Sequence, residues 1–208
     1  MIIVIGSQKG GVGKSTLTVA VASYLKQKNK SVMIVDADDQ QSIINWYNNR
    51  SEELDHIPVT GASGRIKNML LEHGQNYDYV IVDCAGRDSA EMRNGLLACD
   101  IFISPLRASQ MDLDVMPNLT RIFTEAQDFN EKVKGYVVLN MVPTNMFITE
   151  GNEAADALAD IPALTLTKSR ICDRKVHRDA WGQSKTIFEL DNQKAQQEVV
   201  NLMQEIGL

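Results

Sequence analysis

A glycine-rich run near the start of the chain has the residue types that bind phosphate. Residues 7–16 read Ser-Gln-Lys-Gly-Gly-Val-Gly-Lys-Ser-Thr. The three glycines leave room for backbone N–H groups to approach phosphate oxygens, and Lys14 adds a positive charge for the β- and γ-phosphates. The Ser15 hydroxyl is a suitable Mg²⁺ ligand. The run therefore predicts a site for ATP and Mg²⁺. Its binding residues are Gly10, Gly11, Val12, Gly13, Lys14, Ser15 and Thr16.

Three aspartates follow or end apolar runs further along the chain. Asp36 and Asp38 come after the run 32–35, and Asp83 ends the run 77–83, Tyr-Asp-Tyr-Val-Ile-Val-Asp. The carboxyl ends of parallel strands form the sheet edge where ligands bind, and Mg²⁺ takes one or two carboxylates together with phosphate oxygens. Asp83 is therefore predicted to reach the magnesium site. For the Asp-rich segment, a simple cap on the following helix is the alternative.

The elements that would position these residues are visible as alternating apolar and helical patterns. Continuous apolar runs of strand length predict buried parallel strands at 2–5, 32–35, 79–82, 101–104, 136–139 and, more weakly, 164–166. Helical spacing occurs at 15–28, 41–49, 65–73, 89–98, 113–127, 148–159 and 193–206. This alternation predicts one α/β domain over residues 1–208, with a doubly wound, mostly parallel sheet, helices on both faces and right-handed crossovers.

The glycine-rich run departs from the usual Gly-x-x-x-x-Gly-Lys-Ser/Thr motif, because Gln8 stands at the first glycine position and Lys9 follows it. The stretch Lys-Gly-Gly-x-Gly-Lys-Ser at 9–15 resembles the deviant Walker A family, which includes ParA-type partition ATPases, MinD and the nitrogenase iron protein. The resemblance implies that Lys9 reaches the phosphates bound by the other subunit of a nucleotide-sandwich homodimer. Considered alone, Lys9 fits a solvated surface charge equally well.

The resemblance also implies roles for the acidic residues. Residues 36–42 are similar to the family's Asp-x-Asp-Pro-Gln segment, with Asp39 in place of proline. By this similarity Asp38 orients the attacking water, and Asp36 supports the magnesium shell through water. The implied catalytic residues are Lys9, Lys14 and Asp38. The implied metal residues are Ser15, Asp36 and Asp83.

Two residues beyond the phosphate motifs resemble the family's adenine contacts. Asn140 ends the strand predicted before it and is similar to the asparagine that binds adenine, although it also fits the start of a loop. Arg174 lies in 171–176, Ile-Cys-Asp-Arg-Lys-Val, which is similar to the adenine-edge loop of small partition ATPases. The resemblance implies that both contribute to nucleotide binding.

The composition and the ends of the sequence indicate in which cellular compartment the protein acts. Three widely spaced cysteines predict no disulfide framework, zinc site or shared cluster. The start of the chain lacks a signal-peptide pattern, and no apolar run has the length of a membrane span. The segment 191–208 has Lys194 as its only cation beside three carboxylates, which argues against an amphipathic membrane anchor. We expect a cytoplasmic, nucleoid-associated protein without membrane contact.

The formal net charge of −6 argues against a general nucleic-acid coat, but one segment is basic. Residues 168–185 hold six cations and two carboxylates, a local charge of +4. This segment predicts a non-specific contact with the DNA backbone, and an ordinary mixed-charge surface is the alternative. The candidate DNA contacts are Lys168, Arg170, Lys175, Arg178 and Lys185.

The sequence begins directly with the first predicted strand, so we expect no N-terminal helix-turn-helix domain, and the chain resembles short partition ATPases. The resemblance implies a slow Mg²⁺-dependent ATPase whose ATP-bound homodimer binds non-specific DNA and segregates plasmids with a small centromere-binding adaptor protein. Two alternatives stay open. One is a positioning ATPase for a protein cargo such as a chemotaxis cluster, and the other is a P-loop ligase that acts on a small molecule.

Overall fold

The sheet confirms the predicted fold class. The computed structural model describes residues 1–145, 154, 156, 158 and 163–208; the helix predicted at 148–159 lies outside these residues apart from three isolated positions. The strands are β1 Ile2–Ile5, β2 Val32–Ala37, β3 Val59–Gly61, β4 Tyr79–Cys84, β5 Ile101–Leu106, β6 Lys134–Val142, β7 Thr165–Leu166 and β8 Ile171–Cys172. Their order is β3-β2-β4-β1-β5-β6-β7, with β8 also paired to β6, and these pairings are parallel.

Helices cover both faces of the sheet. They are α1 Lys14–Gln27, α2 Ser42–Asn48, α3 Lys67–Asn76, α4 Ala90–Leu96, α5 Gln110–Leu113, α6 Met116–Gln127, α7 Lys175–Gly182 and α8 Gln193–Glu205, with a 3₁₀ turn at Ile187–Glu189. Alternate residues of a strand face opposite sides of a sheet. In β1, Ile2 and Val4 accordingly pack with α3, α4 and α6, whereas Ile3 and Ile5 pack with α1, α2 and α8.

The strand order brings the predicted site residues to one edge. The first strand lies between β4 and β5, so the chain winds outward in both directions from β1, which is the arrangement that opens a ligand crevice at the carboxyl ends of the strands. Asp36 of β2 is in register with Asp83 of β4, and Asp83 is in register with Ile5 of β1. The phosphate loop leaves β1 directly beyond this point.

No prediction from the sequence covered β3, β8, α5, α7 or the 3₁₀ turn as elements of their own. Strand β3 has only three residues and none is buried, and β8 has only two, so neither gives the continuous apolar run of a buried strand. Helix α7, Lys-Val-His-Arg-Asp-Ala-Trp-Gly, buries only Ala180 and is otherwise polar or half-exposed. These elements depend on the long-range contacts that complete the sheet edge.

Gly135 in β6 supplies a test of this packing. A Cβ atom at this position would lie 2.5 Å from Phe123 Cζ of α6 and would also collide with Leu164. We expect Gly135→Ala to lower the free energy of unfolding by about 1–3 kcal/mol, because both neighbours are buried and must shift. Urea unfolding followed by circular dichroism measures the change.

Gly74→Ala in α3 is the matched control. A Cβ there would meet Ile2 at 3.5 Å, an ordinary contact, and alanine favours a helix by about 1 kcal/mol over glycine. The control is expected to be as stable as the parent or more so. A Gly135→Ala protein as stable as the control would contradict this account of the β6–α6 contact.

Candidate nucleotide site

The loop between β1 and α1 has the backbone of an anion site. Gly11 and Gly13 have φ values of 72° and 84°, in the left-handed region that glycine enters without strain. Gly13 stands directly before the first residue of α1 and has no side chain with which to cap it. The N–H groups of the first turn therefore remain available to a negatively charged ligand.

Two side chains from other strands hold this loop through its carbonyl groups. The Asn140 amide of β6 donates to the Val12 carbonyl oxygen at 2.7 Å, and it is buried at 5% exposure. The Arg107 guanidinium, just after β5, donates to the Gly11 carbonyl oxygen. Asn140 thus lies against the phosphate loop, and its expected contact with adenine stays a prediction. Arg107 was missed, because one arginine after a strand has no local signal.

Lys14 is a buried cation at the base of the loop. The residue is 7% exposed, and its Nζ atom donates a hydrogen bond to the Lys9 carbonyl oxygen at 3.2 Å. Burial lowers the pKa of Lys14, against the opposing attraction of Asp83 and Asp38. Because burial disfavours the charged amine, an anion next to Nζ would oppose this effect and favour the charged form. A phosphate group is such an anion.

Asp83 joins the loop to the end of β4. The residue is fully buried; Oδ2 accepts the Ser15 hydroxyl at 2.6 Å and Oδ1 accepts the Thr18 hydroxyl at 3.3 Å. Burial raises the pKa of Asp83 to about 7; the Ser15 hydrogen bond and Lys14 oppose this shift, whereas the nearby carboxylates of Asp36 and Asp38 add to it. A cation at the paired oxygens of Ser15 and Asp83 would favour the ionised form.

The Ser15 and Asp83 oxygens suit an Mg²⁺ ion that is also bound by the phosphates of a nucleotide. The described part of the chain contains no cluster of three His, Cys, Asp or Glu side chains that could hold a metal ion. Mg²⁺ in nucleotide sites takes only one or two ligands from the protein, and phosphate oxygens and water complete its shell. A hydroxyl and one carboxylate match that small number. The donor set of Ser15 and Asp83 thus suits a magnesium–nucleotide complex.

Asp36 has a different environment from Asp83. Its Oδ2 accepts the backbone N–H groups of Ile43 and Ile44 at 2.9 and 3.0 Å, and Oδ1 accepts that of Asp38 at 3.2 Å. Burial raises the pKa of Asp36, and these N–H donors oppose the shift. The carboxylate therefore holds the first turn of α2, as the helix-cap alternative expected. Its contribution to the magnesium shell stays a prediction.

A polar cavity of about 410 Å³ opens above these residues. The phosphate loop forms one side, the residues after β2 form the second, and the residues after β4 form the third. Asp38 lines this cavity, half-buried, and its Oδ1 accepts the Gln40 N–H at 3.0 Å. The backbone at Gly86 packs so tightly on the loop that a Cβ there would lie 2.7 Å from Gly10 N. The cavity has the size and charges for a triphosphate.

The Lys9 side chain lies in a different place from that of Lys14. The Lys9 carbonyl oxygen accepts the Ser7 hydroxyl at 2.8 Å as well as the Lys14 amine. Its own side chain is half-buried, makes no hydrogen bond or ion pair with the described residues, and does not line the polar cavity. Lys9 is thus a cation beside the phosphate loop that does not line the polar cavity.

A second, mostly apolar cavity of about 340 Å³ adjoins Gly13 and Thr16. Its apolar lining is Leu17, Ala20, Ile171, Trp181 and Val199; its polar lining includes Asn140, Asp173, His177 and Arg178. A concave apolar site with a few polar groups suits a planar base. Arg174 does not line it, because its guanidinium binds Glu198 at 2.6 and 3.0 Å. His177 and Trp181 of α7 were not assigned from the sequence, and Arg178 was assigned to DNA instead.

The basic segment 168–185 is less positive in the fold than in the sequence. Three of its cations form ion pairs: Arg174 with Glu198, Lys175 with Asp179, and Arg178 with Asp173. Glu205 also accepts the N–H groups of Lys168 and Ser169. Counting Glu198 and Glu205 with the segment lowers its charge from +4 to +2. Lys168, Arg170 and Lys185 form no ion pair with the residues the structure describes.

The family model for the CobQ/CobB/MinD/ParA nucleotide binding domain matches residues 3–187. This chain belongs to that family. It is similar to the maintenance of carboxysome distribution protein A of Halothiobacillus neapolitanus, with 27% identity over 98% of this chain and 95% of the relative. The expected kinship with ParA and MinD ATPases is confirmed.

Solved structures of the same fold contain the expected ligands. A putative plasmid partition protein from Borrelia burgdorferi bound to AMPPNP has a TM-score of 0.73 at 19% identity, with 99% of this chain and 97% of that one covered. MinD from Pyrococcus horikoshii with Mg-ADP has a TM-score of 0.75 at 18% identity, with 99% and 95% covered. Among the described helices, none is long and apolar enough to cross a bilayer.

The contact between Asn140 and the phosphate loop can be measured without nucleotide. Asn140→Ala leaves the buried Val12 carbonyl oxygen without its donor, so we expect the free energy of unfolding to fall by about 1–3 kcal/mol. Asn94→Ala is the control, because the exposed Asn94 amide donates to the Ala90 carbonyl oxygen at 3.0 Å and its loss costs about 0.5 kcal/mol or less. Equal losses in the two variants would show that Asn140 does not support the loop.

Proposed function

We propose that this chain is an ATP-driven dimerisation switch that segregates plasmid DNA. The observation that carries the proposal is the pair of lysines in the phosphate loop. Lys14 lies buried in the cavity of its own subunit, whereas Lys9 stands beside the loop, does not line that cavity and has no partner among the described residues. A cation in this place suits the phosphates held by a second copy of the chain. ATP would then join two subunits in a homodimer.

The site residues suit slow, Mg²⁺-dependent hydrolysis of ATP. The glycines and Lys14 bind the phosphates, Ser15 and Asp83 hold Mg²⁺, and Asp38 orients the attacking water from its place in the cavity. Bound Mg²⁺ supplies positive charge that stabilises the phosphate oxygens during hydrolysis. Asp36 acts through water and by holding α2, where its carboxylate binds two N–H groups. Asn140 supports the loop and, with the apolar cavity, the base.

Non-specific DNA and an adaptor protein complete the proposal. The ATP-bound dimer doubles the unpaired cations Lys168, Arg170 and Lys185, so its affinity for the DNA backbone exceeds that of a monomer and depends steeply on salt. Nucleotide binding, dimerisation and DNA binding are then linked equilibria. A small centromere-binding protein would accelerate hydrolysis and release the dimer from the nucleoid.

A protein cargo is the second candidate. It is favoured by the match with the carboxysome distribution protein, which extends over 98% of this chain. Both candidates use the same switch and differ in the partner that stimulates it. We would measure ATP hydrolysis with non-specific DNA and the product of the neighbouring gene. Stimulation by a small DNA-binding protein supports plasmid partition, and stimulation by a protein that binds a cellular assembly instead supports the second candidate.

Asp38→Ala tests the proposed hydrolysis. We expect the variant to keep ATP binding and dimerisation but to lose hydrolysis by about 100-fold or more, because the water loses its orienting carboxylate. Phosphate release in the presence of DNA is the measurement. Asp128→Ala, an exposed carboxylate at the end of α6, is the control with parental turnover. Parental turnover in Asp38→Ala would assign the water to another residue.

The unpaired cations supply the test of DNA binding. Replacing Lys168, Arg170 and Lys185 by alanine should remove most ATP-dependent binding to non-specific duplex and lower the slope of log K against log salt by up to about 3 for each monomer. The control is Lys175→Ala, because the Lys175 amine is already bound to Asp179 and the residue lines neither cavity. We expect a smaller loss there. Binding of equal strength in ADP, or a larger loss in the control, would contradict the proposed patch.

A further inference from the structure

An ion pair spans two of the three sides of the phosphate cavity. The Arg87 guanidinium binds the Asp39 carboxylate at 2.5 Å, and both residues line the cavity. Asp39 belongs to the loop after β2, and Arg87 belongs to the loop after β4. The two side chains are 65% and 68% exposed, so the pair lies at the open side of the cavity. Asp39 also stands where the related segment has proline.

The backbone beside Arg87 is held against the phosphate loop. A Cβ atom at Gly86 would lie only 2.7 Å from the Lys9 carbonyl oxygen and from Gly10 N. Because this approach fixes the start of the Arg87 side chain, its guanidinium moves through rotation about its own side-chain bonds and needs no shift of the loop. Arg87 can therefore exchange one partner at the cavity for another.

The charges favour such an exchange when a triphosphate binds. Lys14 is the cation buried at the base of the cavity, and Arg87 is the arginine at its opening. An exposed ion pair contributes little to stability, whereas guanidinium bound to phosphate forms charge-assisted, bidentate hydrogen bonds. The negative phosphate also repels Asp39. The resting pair with Asp39 is thus weaker than the pair available with a terminal phosphate.

We infer that Arg87 binds the γ-phosphate of ATP in its own subunit, and that Asp39 competes with the phosphate for Arg87 in the resting state. Arg87 is then a residue that discriminates ATP from ADP, since ADP has no phosphate at that position. Asp39 acts through Arg87 and opposes ATP binding. This inference rests on the proposed function, because it needs ATP in the polar cavity.

The two residues are distinguished by changes of opposite sign. Isothermal titration would measure the affinity for AMPPNP and for ADP, each with Mg²⁺. Arg87→Ala should weaken AMPPNP binding by about tenfold and leave ADP binding unchanged. Asp39→Ala should strengthen AMPPNP binding by about twofold to fivefold, because the resting competitor is gone. Arg87→Lys should keep part of the preference, since it retains the charge.

Arg93→Ala is the matched control. Arg93 is an exposed arginine bound to the carboxylate of Asp88, and it does not line the cavity. Its loss should leave both affinities unchanged. Arg87→Ala with a parental ratio of AMPPNP to ADP affinity, or Asp39→Ala with weakened AMPPNP binding, would overturn the inference. All variants should show parental circular dichroism, because the altered side chains are exposed.

A Lys9→Ala background separates this inference from the proposed function. If Arg87 contacts the nucleotide of its own subunit, Arg87→Ala also weakens AMPPNP binding about tenfold when Lys9 is replaced. Loss of that tenfold effect in the Lys9→Ala protein would overturn the contact within one subunit. A parent protein that binds both nucleotides while the Arg87 effect is absent refutes this inference alone. A parent protein that binds neither nucleotide refutes the proposed function as well.

Discussion

The left-handed backbone at Gly13 is the constraint on which the rest of the site depends. A Cβ atom at this position would lie 2.5 Å from Asn140 Nδ2, so only glycine leaves room for that amide to reach the Val12 carbonyl oxygen. Because Gly13 is also the residue before α1, the same bond fixes where the helix begins. Lys14 and Ser15 enter the cavity from that start. The position of β6 therefore decides the shape of the phosphate loop.

Burial shifts the pKa values of two oppositely charged side chains at this site, Lys14 and Asp83. It lowers the pKa of Lys14 and raises the pKa of Asp83 to about 7, so burial disfavours the charged form of each side chain. Their mutual attraction is part of the balance but does not remove the cost of burial. An anion at Lys14 and a cation at Asp83 would favour the charged form of each. The two environments thus suit a ligand that carries a phosphate and a metal ion together.

The same sheet edge couples the phosphate site to its surroundings. Asp36 is in register with Asp83 and holds the first turn of α2 through Ile43 and Ile44. Gly86, in the loop after β4, packs against the phosphate loop. A change in the occupant of the cavity therefore acts on two loops that leave neighbouring strands. This arrangement suits a protein whose nucleotide state is read by a second molecule.

The sequence predicted the parts of this site that depend on local pattern. The glycines, Lys14 and the strand ending in Asp83 follow from a contiguous motif and from the rule that parallel strands share one ligand edge. Arg107 was not assigned, since its contact with Gly11 depends on which distant segments meet, whereas the cap formed by Asp36 was open as an alternative. The basic segment was counted without Glu198 and Glu205, which lie on α8 and reach it only in the fold. Helix α7 was missed because its residues are mostly polar.

The central claim is that nucleotide joins two copies of the chain through Lys9. Light scattering measures it most directly, with the protein at one concentration in Mg-ADP and in Mg-AMPPNP. The account predicts the mass of one chain in ADP and twice that mass in AMPPNP. It also predicts that Lys9→Ala keeps the mass of one chain in both nucleotides while AMPPNP still binds. A parent protein that stays monomeric when saturated with AMPPNP, or a Lys9→Ala variant that dimerises like the parent, would contradict the account.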